Sequence, residues 1–542
     1  MFMNNFISML STYQALTSRQ LENINKIKKI AKTFHKDAGT YKNLKNLFNN
    51  DISDETIVLE AGHQPNFLPH AGTWKKAFLL HFLREKLVEK SGKSVLSLFG
   101  FADYNLCTAT LLYQNRIPAL TKIACEKMGF KISGKDKWKK FDSIKKPLEK
   151  EWEREIERIK LYYKSNAKMA KIEYSEIKTN IDAFAGTMSK SYELAENFPD
   201  VNAFFFSKVC NEILGLNVLF FRYSDVQKER IFMDEWKKII ANIDEFNKTY
   251  NEVLSKRKFK DISPCEPNSF PFWYHCDCGG KVPLLIASQK HIICTGKCPS
   301  CNKNHEISLE GDNIEKHFDR MSMNAVARNL ILSEGIGTTL FISGFGGGLR
   351  YGTIANEISK KKGFNLPITL TWTSKDYYAS VIYLVTINNL IKVFGINVKE
   401  LLNKEILNSK VNRRLEELIH EINRLEKESK NKRGETYMNS IKRYKGEYSN
   451  ISSKIKITNE IINMTPSILD IFVSAGIDIK LIDAWRQALL NLDVKIEDEF
   501  YIIRRDVVYD IPAGFTPLKK DQIPLIYDNI SAINTSTFIP LK

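Results

Sequence analysis

The sequence predicts an α/β fold: a Rossmann-like parallel sheet core, split by helical and zinc-ribbon insertions and extended by an antiparallel coiled-coil hairpin. Three observations predict it. Short apolar runs alternate with stretches of helical periodicity. Five of the nine cysteines gather between residues 276 and 301. Apolar residues then recur in heptads across 411–462.

The elements follow in order. Residues 1–50 read as helical, with Leu21, Ile24, Ile27 and Ile30 near helical spacing. TIVLEAG (56–62) is a short apolar run and reads as a buried strand. GHQPNFLPHAGTWKK (62–76) follows, with Gly62, His63, Gln64, Pro65, Pro69, His70 and Gly72 in one turn before a helix over 73–90. Strand, turn-rich loop and helix N-terminus is the layout in which open α/β sheets bind ligands, because backbone N–H groups and the helix dipole face the crevice. SVLSLFGFAD (94–103) is a second strand, ending in Asp103. Residues 135–200 look helical and charged, 216–222 form another strand, and a helix follows near 226–250. TTLFISGFGGG (338–348) runs a strand into glycines ahead of a helix near 350–362, and LPITLTW (366–372) is one more strand. Glycines in such a loop let the backbone approach a ligand closely.

The cysteines have metal-ligand spacing. Cys276-x-Cys278-Gly-Gly and Cys298-Pro-Ser-Cys301 are two knuckles about twenty residues apart. Four thiolates from such pairs close a tetrahedral site with no open position, which is structural zinc. His275, Cys294 and His305 are spare or alternative ligands.

Val411, Leu415, Leu418, Ile422 and Leu425 step by four and three, and after the polar break KNKRGE the pattern resumes from Tyr437 to Ile462. A helix over 466–491 and the strand-like FYIIRRDVVYDIP close the readable part. The expected units are 1–134 (first core half with N-terminal helices), 135–261 (helical connection and a core strand) and 262–311 (zinc ribbon). After them come 312–400 (second core half), 401–465 (coiled-coil hairpin) and 466–542 (C-terminal helix and tail).

Composition bounds the function classes. With 80 basic and 63 acidic residues the formal net charge is +17. That admits a polyanionic partner, but the lysines are spread along the chain and alternate with acids on solvated helix faces. No apolar run reaches the about 18 residues of a membrane span. The N-terminus has no basic region ahead of an apolar one, so no secretory signal is read. A cytoplasmic, reduced setting is expected, which suits a cysteine metal site.

Three stretches together resemble one family: GHQPNFLPHAGTWKK (62–76), SLFGFAD (97–103) and MSMNAVARNLILSEGIGTTLFISGFGGGLRYGTIANEI…LPITLTW (321–372). Their order and spacing are similar to those of the cysteine-adding enzymes of bacillithiol biosynthesis, over most of residues 55–465. Gly62, Gln64 and Pro65 match that family's first motif, with His63 in place of a Gln. Asp103 matches one of its acidic residues, and Asn324 and Arg328 its Asn/Arg helix. Ser343, Gly344, Gly346 and Gly347 match its glycine loop without the family's Glu, and Tyr351 matches the Tyr that follows. The family's C-terminal Leu-Gln-Glu-Arg ending is absent.

The resemblance implies a ligase that joins an amino acid, with cysteine favoured, to an amine-bearing small-molecule acceptor. It also implies ATP or ADP in the loops around 62–73 and 343–351, and a coiled coil able to form a homodimer. The catalytic candidates are His63, His70 and Asp103. The binding candidates are Gly62, Gln64 and Gly72 on the first loop, Asn324 on the third stretch, and Ser343, Gly344, Gly346, Gly347 and Tyr351 on the glycine loop.

HQPNFLP alone is also similar to a family of small proteins of sugar-polymer biosynthesis. A further likeness is to class I aminoacyl-tRNA synthetases, whose His-x-Gly-His loop occupies the turn where Pro69-His70-Ala71-Gly72-Thr73 stands here. It implies a protein that binds nucleotide and tRNA. The missing acidic residues leave a third reading, a non-catalytic binding protein that keeps the fold.

Overall fold

The computed structural model describes residues 3–12, 14–118, 125–170, 173–259, 262–288, 292–310, 313–344, 347–373, 376–379, 404–431, 438–449, 467–475, 479–489, 494–497, 499–504, 507–510 and 516–518. Seventeen strands lie within them. They are β1 (Ile57–His63), β2 (Val95–Phe101), β3 (Gln114–Pro118), β4 (Cys125–Gly129), β5 (Leu219–Arg222), β6 (Ser269–His275), β7 (Lys281–Ser288), β8 (Ile293–Lys297) and β9 (Asn304–Ser308). Then follow β10 (Met321–Met323), β11 (Leu340–Ser343), β12 (Ile368–Thr373), β13 (Asp376–Ala379), β14 (Val494–Glu497), β15 (Phe500–Arg504), β16 (Val507–Asp510) and β17 (Thr516–Leu518).

The central sheet has seven strands in the order β14-β15-β12-β11-β1-β2-β5. Every pairing is parallel except that of the edge strand β14. The six parallel strands, numbered along the chain, thus stand in the order 3-2-1-4-5-6. β1 is held on both edges, by β2 (Gly62 opposite Gly100) and by β11 (Leu59 opposite Leu340).

Among the described residues thirteen α-helices precede residue 363: α1 (Met3–Ser11), α2 (Ser18–Asp37), α3 (Lys45–Asn49), α4 (Ala71–Ser91), α5 (Glu149–Ala170), α6 (Tyr174–Leu194) and α7 (Phe198–Ser207). The rest are α8 (Tyr223–Lys228), α9 (Met233–Ile240), α10 (Ile243–Arg257), α11 (Asn313–His317), α12 (Ala325–Ile336) and α13 (Gly347–Lys362). Strand side chains alternate between two cores because successive residues point to opposite faces. Leu59, Ala61, Phe99 and Phe220 join α4, α6 and α7 on one face. Val58, Leu98 and Phe221 join α2, α12 and α13 on the other. The helix after β1 therefore covers one face and the helix after β11 the opposite one.

Differences from the expected elements have local causes. The helical stretch expected from 135 begins at Glu149. Before it, residues 138–140 are committed to bridges with Leu106 and Gly280. The helix expected near 226–250 is three helices, α8 to α10, and α13 starts three residues earlier than the sequence suggested. Within the expected C-terminal helix, Ile468–Ala475 and Ile479–Leu489 are helical, and residues 476–478 lie outside the described residues. Edge strand β14 and the hairpin β3–β4 were not anticipated.

The first heptad arm is the helix Lys404–Asn431, and residues 438–449 of the second are helical. Leu418, Ile422, Leu425 and Ile441 are buried, and Lys445 pairs with Glu426 at 2.6 Å. The remainder of that arm and the tail beyond 518 lie outside the described residues.

Gly62 and Gly100, side by side at the ends of their strands, leave room for the ring of Tyr223. A Cβ on Gly100 would overlap that ring, and one on Gly62 would lie 3.0 Å from its hydroxyl. Gly100→Ala is expected to lower unfolding free energy by about 1–3 kcal/mol through this overlap. Denaturant melts should show it as a lower midpoint with an unchanged slope.

Candidate functional site

The crevice at the C-terminal ends of β1 and β11 collects most of the residues named above. It lies where the strand order reverses, the place at which open parallel sheets receive ligands. The loop after β1 is braced from outside. Asn202 Nδ2 donates to Pro65 O at 2.8 Å, Trp74 Nε1 to Pro69 O at 3.2 Å, and Asn115 Nδ2 to Leu68 O. Leu68 holds a positive φ of 47° under this bracing. Asn202 and Asn115 come from elements distant in sequence, so no local pattern announced them, whereas Trp74 stands on the helix that directly follows the loop.

His63 ends β1. Its Nδ1 stands 2.9 Å from Gln64 O, and a carbonyl can only accept, so Nδ1 carries the proton. Burial and the nearby Lys76 push its pKa down to about 3, with His70 and Arg328 adding to the effect. The imidazole is therefore neutral at physiological pH, and Nε2 is its acceptor. His70 caps α4 with extended backbone and forms an isolated bridge with Ser467, while Ile468 N donates to Pro69 O at 3.1 Å. Chain from beyond residue 466 thus abuts the start of α4. Gly72 is the second residue of α4, exposed, with open space where a side chain would stand.

Lys76, one turn further along α4, is a residue that sequence reasoning missed. Its Nζ donates to Gly62 O at 3.0 Å and lies 3.5 Å from where a Gly344 Cβ would be. It thus spans the ends of β1 and β11. Burial, with the Arg328 charge, lowers its pKa to about 8. Arg328 approaches from the other face, on α12. Asn324 starts that helix by accepting from Ala327 N at 2.8 Å, which places Arg328 one turn on, 5.2 Å from the Tyr223 ring.

Beneath them Glu60 is buried, accepting from Thr338 Oγ1 at 2.8 Å and from Tyr223 OH at 3.4 Å. Burial outweighs these partners and pushes its pKa up to about 7. Ser343 ends β11, and a Cβ on Gly348 would overlap its hydroxyl. Gly344 follows, Gly347 opens α13, and Gly346 lies outside the described residues.

Two candidates sit differently. Asp103 is buried, and its oxygens accept from Ser224 N at 3.0 Å and from Ser224 Oγ, so it anchors the start of α8. Burial and the neighbouring Asp142 push its pKa up to about 7. Tyr351 packs on the second core beside Tyr250 of α10, away from the β1 loop.

The metal centre is formed on the antiparallel sheet β10-β6-β7-β8-β9. The sulfurs of Cys276, Cys278, Cys298 and Cys301 lie within 4.8 Å of one another. The Cys276–Cys301 and Cys278–Cys298 separations are each 3.6 Å. A tetrahedron with zinc–sulfur bonds near 2.3 Å has edges of about 3.8 Å, so the donor set fits a structural metal such as zinc. Backbone N–H groups of Cys278, Gly280 and Lys303 point at sulfurs of Cys276, Cys278 and Cys301. Gly279 holds a φ of +85°, and a Cβ on Gly280 would lie 2.5 Å from Cys298 Sγ. The spare ligands are occupied elsewhere: His275 bonds Ser322 at 2.8 Å, Cys294 enters the core, and the His305 ring packs on Tyr274.

The first knuckle also reaches the crevice. Lys140 N donates to Gly279 O at 2.9 Å, Phe141 N to Asn105 O at 2.9 Å, and the buried Lys281 Nζ to Tyr104 O at 2.9 Å. The Lys281 ammonium lies 5.1 Å from the Tyr104 ring and 5.2 Å from that of Trp273.

Metal analysis should return one zinc per chain, falling sharply in Cys298→Ser. Chelation should lower the melting temperature and increase hydrogen exchange at 138–141 and 104–107 as well as in the ribbon. The Glu60 shift sets a pH dependence. A carboxyl whose folded pKa exceeds its unfolded value favours folding while protonated. That contribution is complete below the ordinary value of 4.5 and is lost as pH rises through about 7. Glu60→Gln should flatten the stability profile in that window, read from denaturant melts at a series of pH values.

No known protein-family model matches the chain, and no curated protein matches it in sequence.

Proposed function

We propose that the chain is an enzyme with a Rossmann-like core that joins an amino acid, cysteine in the first place, to an amine-bearing small molecule. The observation that carries this reading is the neutral His63 at the strand-order reversal, protonated on Nδ1 and left with Nε2 as an acceptor. An amine nucleophile must lose a proton as its bond to carbon forms, and an accepting imidazole suits that task. Making an amide from a carboxylate also requires an oxygen to leave. An ATP phosphate on that oxygen would depart as inorganic phosphate, leaving ADP from the activation step. The loops after β1 and β11 would hold the nucleotide and acceptor, and the reaction would rest mainly on positioning and charge stabilisation. His70 would act through the loop it ends, and Asp103 through α8.

The buried arm residues and the Glu426–Lys445 pair favour an antiparallel coiled-coil hairpin, which would serve a homodimer. The same hairpin with the metal ribbon would suit the tRNA-binding alternative.

The test incubates purified protein with ATP, cysteine and a panel of amino-sugar and amino-acid acceptors, with product followed by mass spectrometry. Turnover is expected, and His63→Asn should reduce kcat by about 10²-fold or more with zinc content and melting curve unchanged. A folded, zinc-loaded protein that yields no product and binds none of these ligands would make it a scaffold. Salt-sensitive binding of tRNA alone would favour the synthetase-like alternative.

A further inference from the structure

We infer that Lys76 and Arg328 form a two-sided clamp for an oxyanion, a phosphate or carboxylate group of the substrate, seated over the ends of β1 and β11. The inference rests on reading this crevice as a substrate site, though not on the reaction carried out there.

The two cations arrive from opposite faces of the sheet. Lys76 comes from α4, in the first core, and its ammonium is fixed against Gly62 O beside Gly344. Arg328 comes from α12, in the second core, and lies over the Tyr223 ring, whose hydroxyl is next to Gly62. Gly62 is thus flanked by a positive charge on each side, and both charges bear on His63.

Among the described residues neither cation makes an ion pair. Burial, then the phenols of Tyr104 and Tyr223, bear most on Arg328, and the acid that bears on it is Glu60, which is engaged by Thr338 and Tyr223 and biased toward its protonated form by burial. Burial in the first place, and then the Arg328 charge, disfavour the ionised form of Lys76. Two like charges held close and partly out of water are costly unless an anion joins them. Among the described residues no anion is placed there, and a ligand oxyanion would remove the cost. The backbone that such a group would meet is glycine at 62 and 344, where no side chain bars close approach.

A structural role for Lys76 makes the opposite forecast, because its bond to Gly62 O would then stabilise the strand end. The two are separable. In the clamp reading Lys76→Met melts no lower than wild type without anion, since a repulsion is relieved.

Binding is measured by calorimetry at two salt concentrations with inorganic pyrophosphate, ATP and cysteine as probes, on the zinc-loaded full chain. Wild type should bind at least one of them with an affinity that falls with salt. Lys76→Met and Arg328→Met should each weaken that binding by about tenfold to a hundredfold, the scale of a charged hydrogen bond, and Lys76→Arg should restore part of it. The NMR titration of His63 should move to higher pH when the anion binds. Pyrophosphate and ATP responding without cysteine identifies a phosphate seat, and cysteine alone identifies a carboxylate seat.

Equal affinity in wild type and both variants overturns the clamp, even if ligation proceeds. So does a lower melting point for Lys76→Met, or a folded wild type that binds none of the probes. Anion binding lost in the variants, with no ligation by wild type, upholds the clamp and removes the ligase reading.

Discussion

Charge taken out of water around one strand end governs the middle of this molecule. Lys76, Arg328 and Glu60 surround the last residues of β1, and each is held where burial works against its ionised form. The neighbouring structure is arranged around that cost. Thr338 and Tyr223 supply hydroxyls to Glu60. Tyr223 can reach it because Gly62 and Gly100 carry no side chains, and its ring also underlies the Arg328 guanidinium. Arg328 in turn depends on the cap that Asn324 gives α12. His63 takes its neutral state first from its desolvation, then from Lys76, with a smaller push from Arg328.

How much of this the sequence disclosed follows from the range of each interaction. The run TIVLEAG and the turn density of residues 62–72 located β1, its loop and α4, because strand burial and turn chemistry are local. The metal site was readable for the same reason: its two knuckles each close within a few residues. Lys76 was hidden in TWKKAFLL, where a lysine reads as an ordinary solvated helix residue. Its role appears once β11, far along the chain, lies beside β1. The braces from Asn202 and Asn115 were equally invisible, since each meets the loop through tertiary contact. Asp103 was legible as an acid at a strand end, yet its partner Ser224 lies on an element too distant for spacing to reveal.

The ribbon changes what the crevice is made of. Its first knuckle pairs with residues 138–140, which pair in turn with the segment after β2, and Lys281 reaches Tyr104 directly. The sheet that carries the cysteine cluster is therefore part of the wall beside the strand ends. Residues 138–141 cannot join an α-helix for that reason, having their backbone engaged on both sides, and only short 3-10 turns at Gly134–Asp136 and Phe141–Ser143 flank them.

The placement of β1 has a consequence for how the chain is born. β2 follows it closely, so one edge is covered early. The other edge waits for Leu340–Ser343, which leave the ribosome only after the whole helical and cysteine-bearing stretch has been made. Throughout that interval the nascent protein carries an apolar parallel strand with one row of unpaired N–H and C=O groups, the kind of edge that recruits foreign strands. Synthesis of this chain is thus longest at risk in a strand buried inside its sheet, and a ribosome stalled before residue 340 would release a species ready to aggregate.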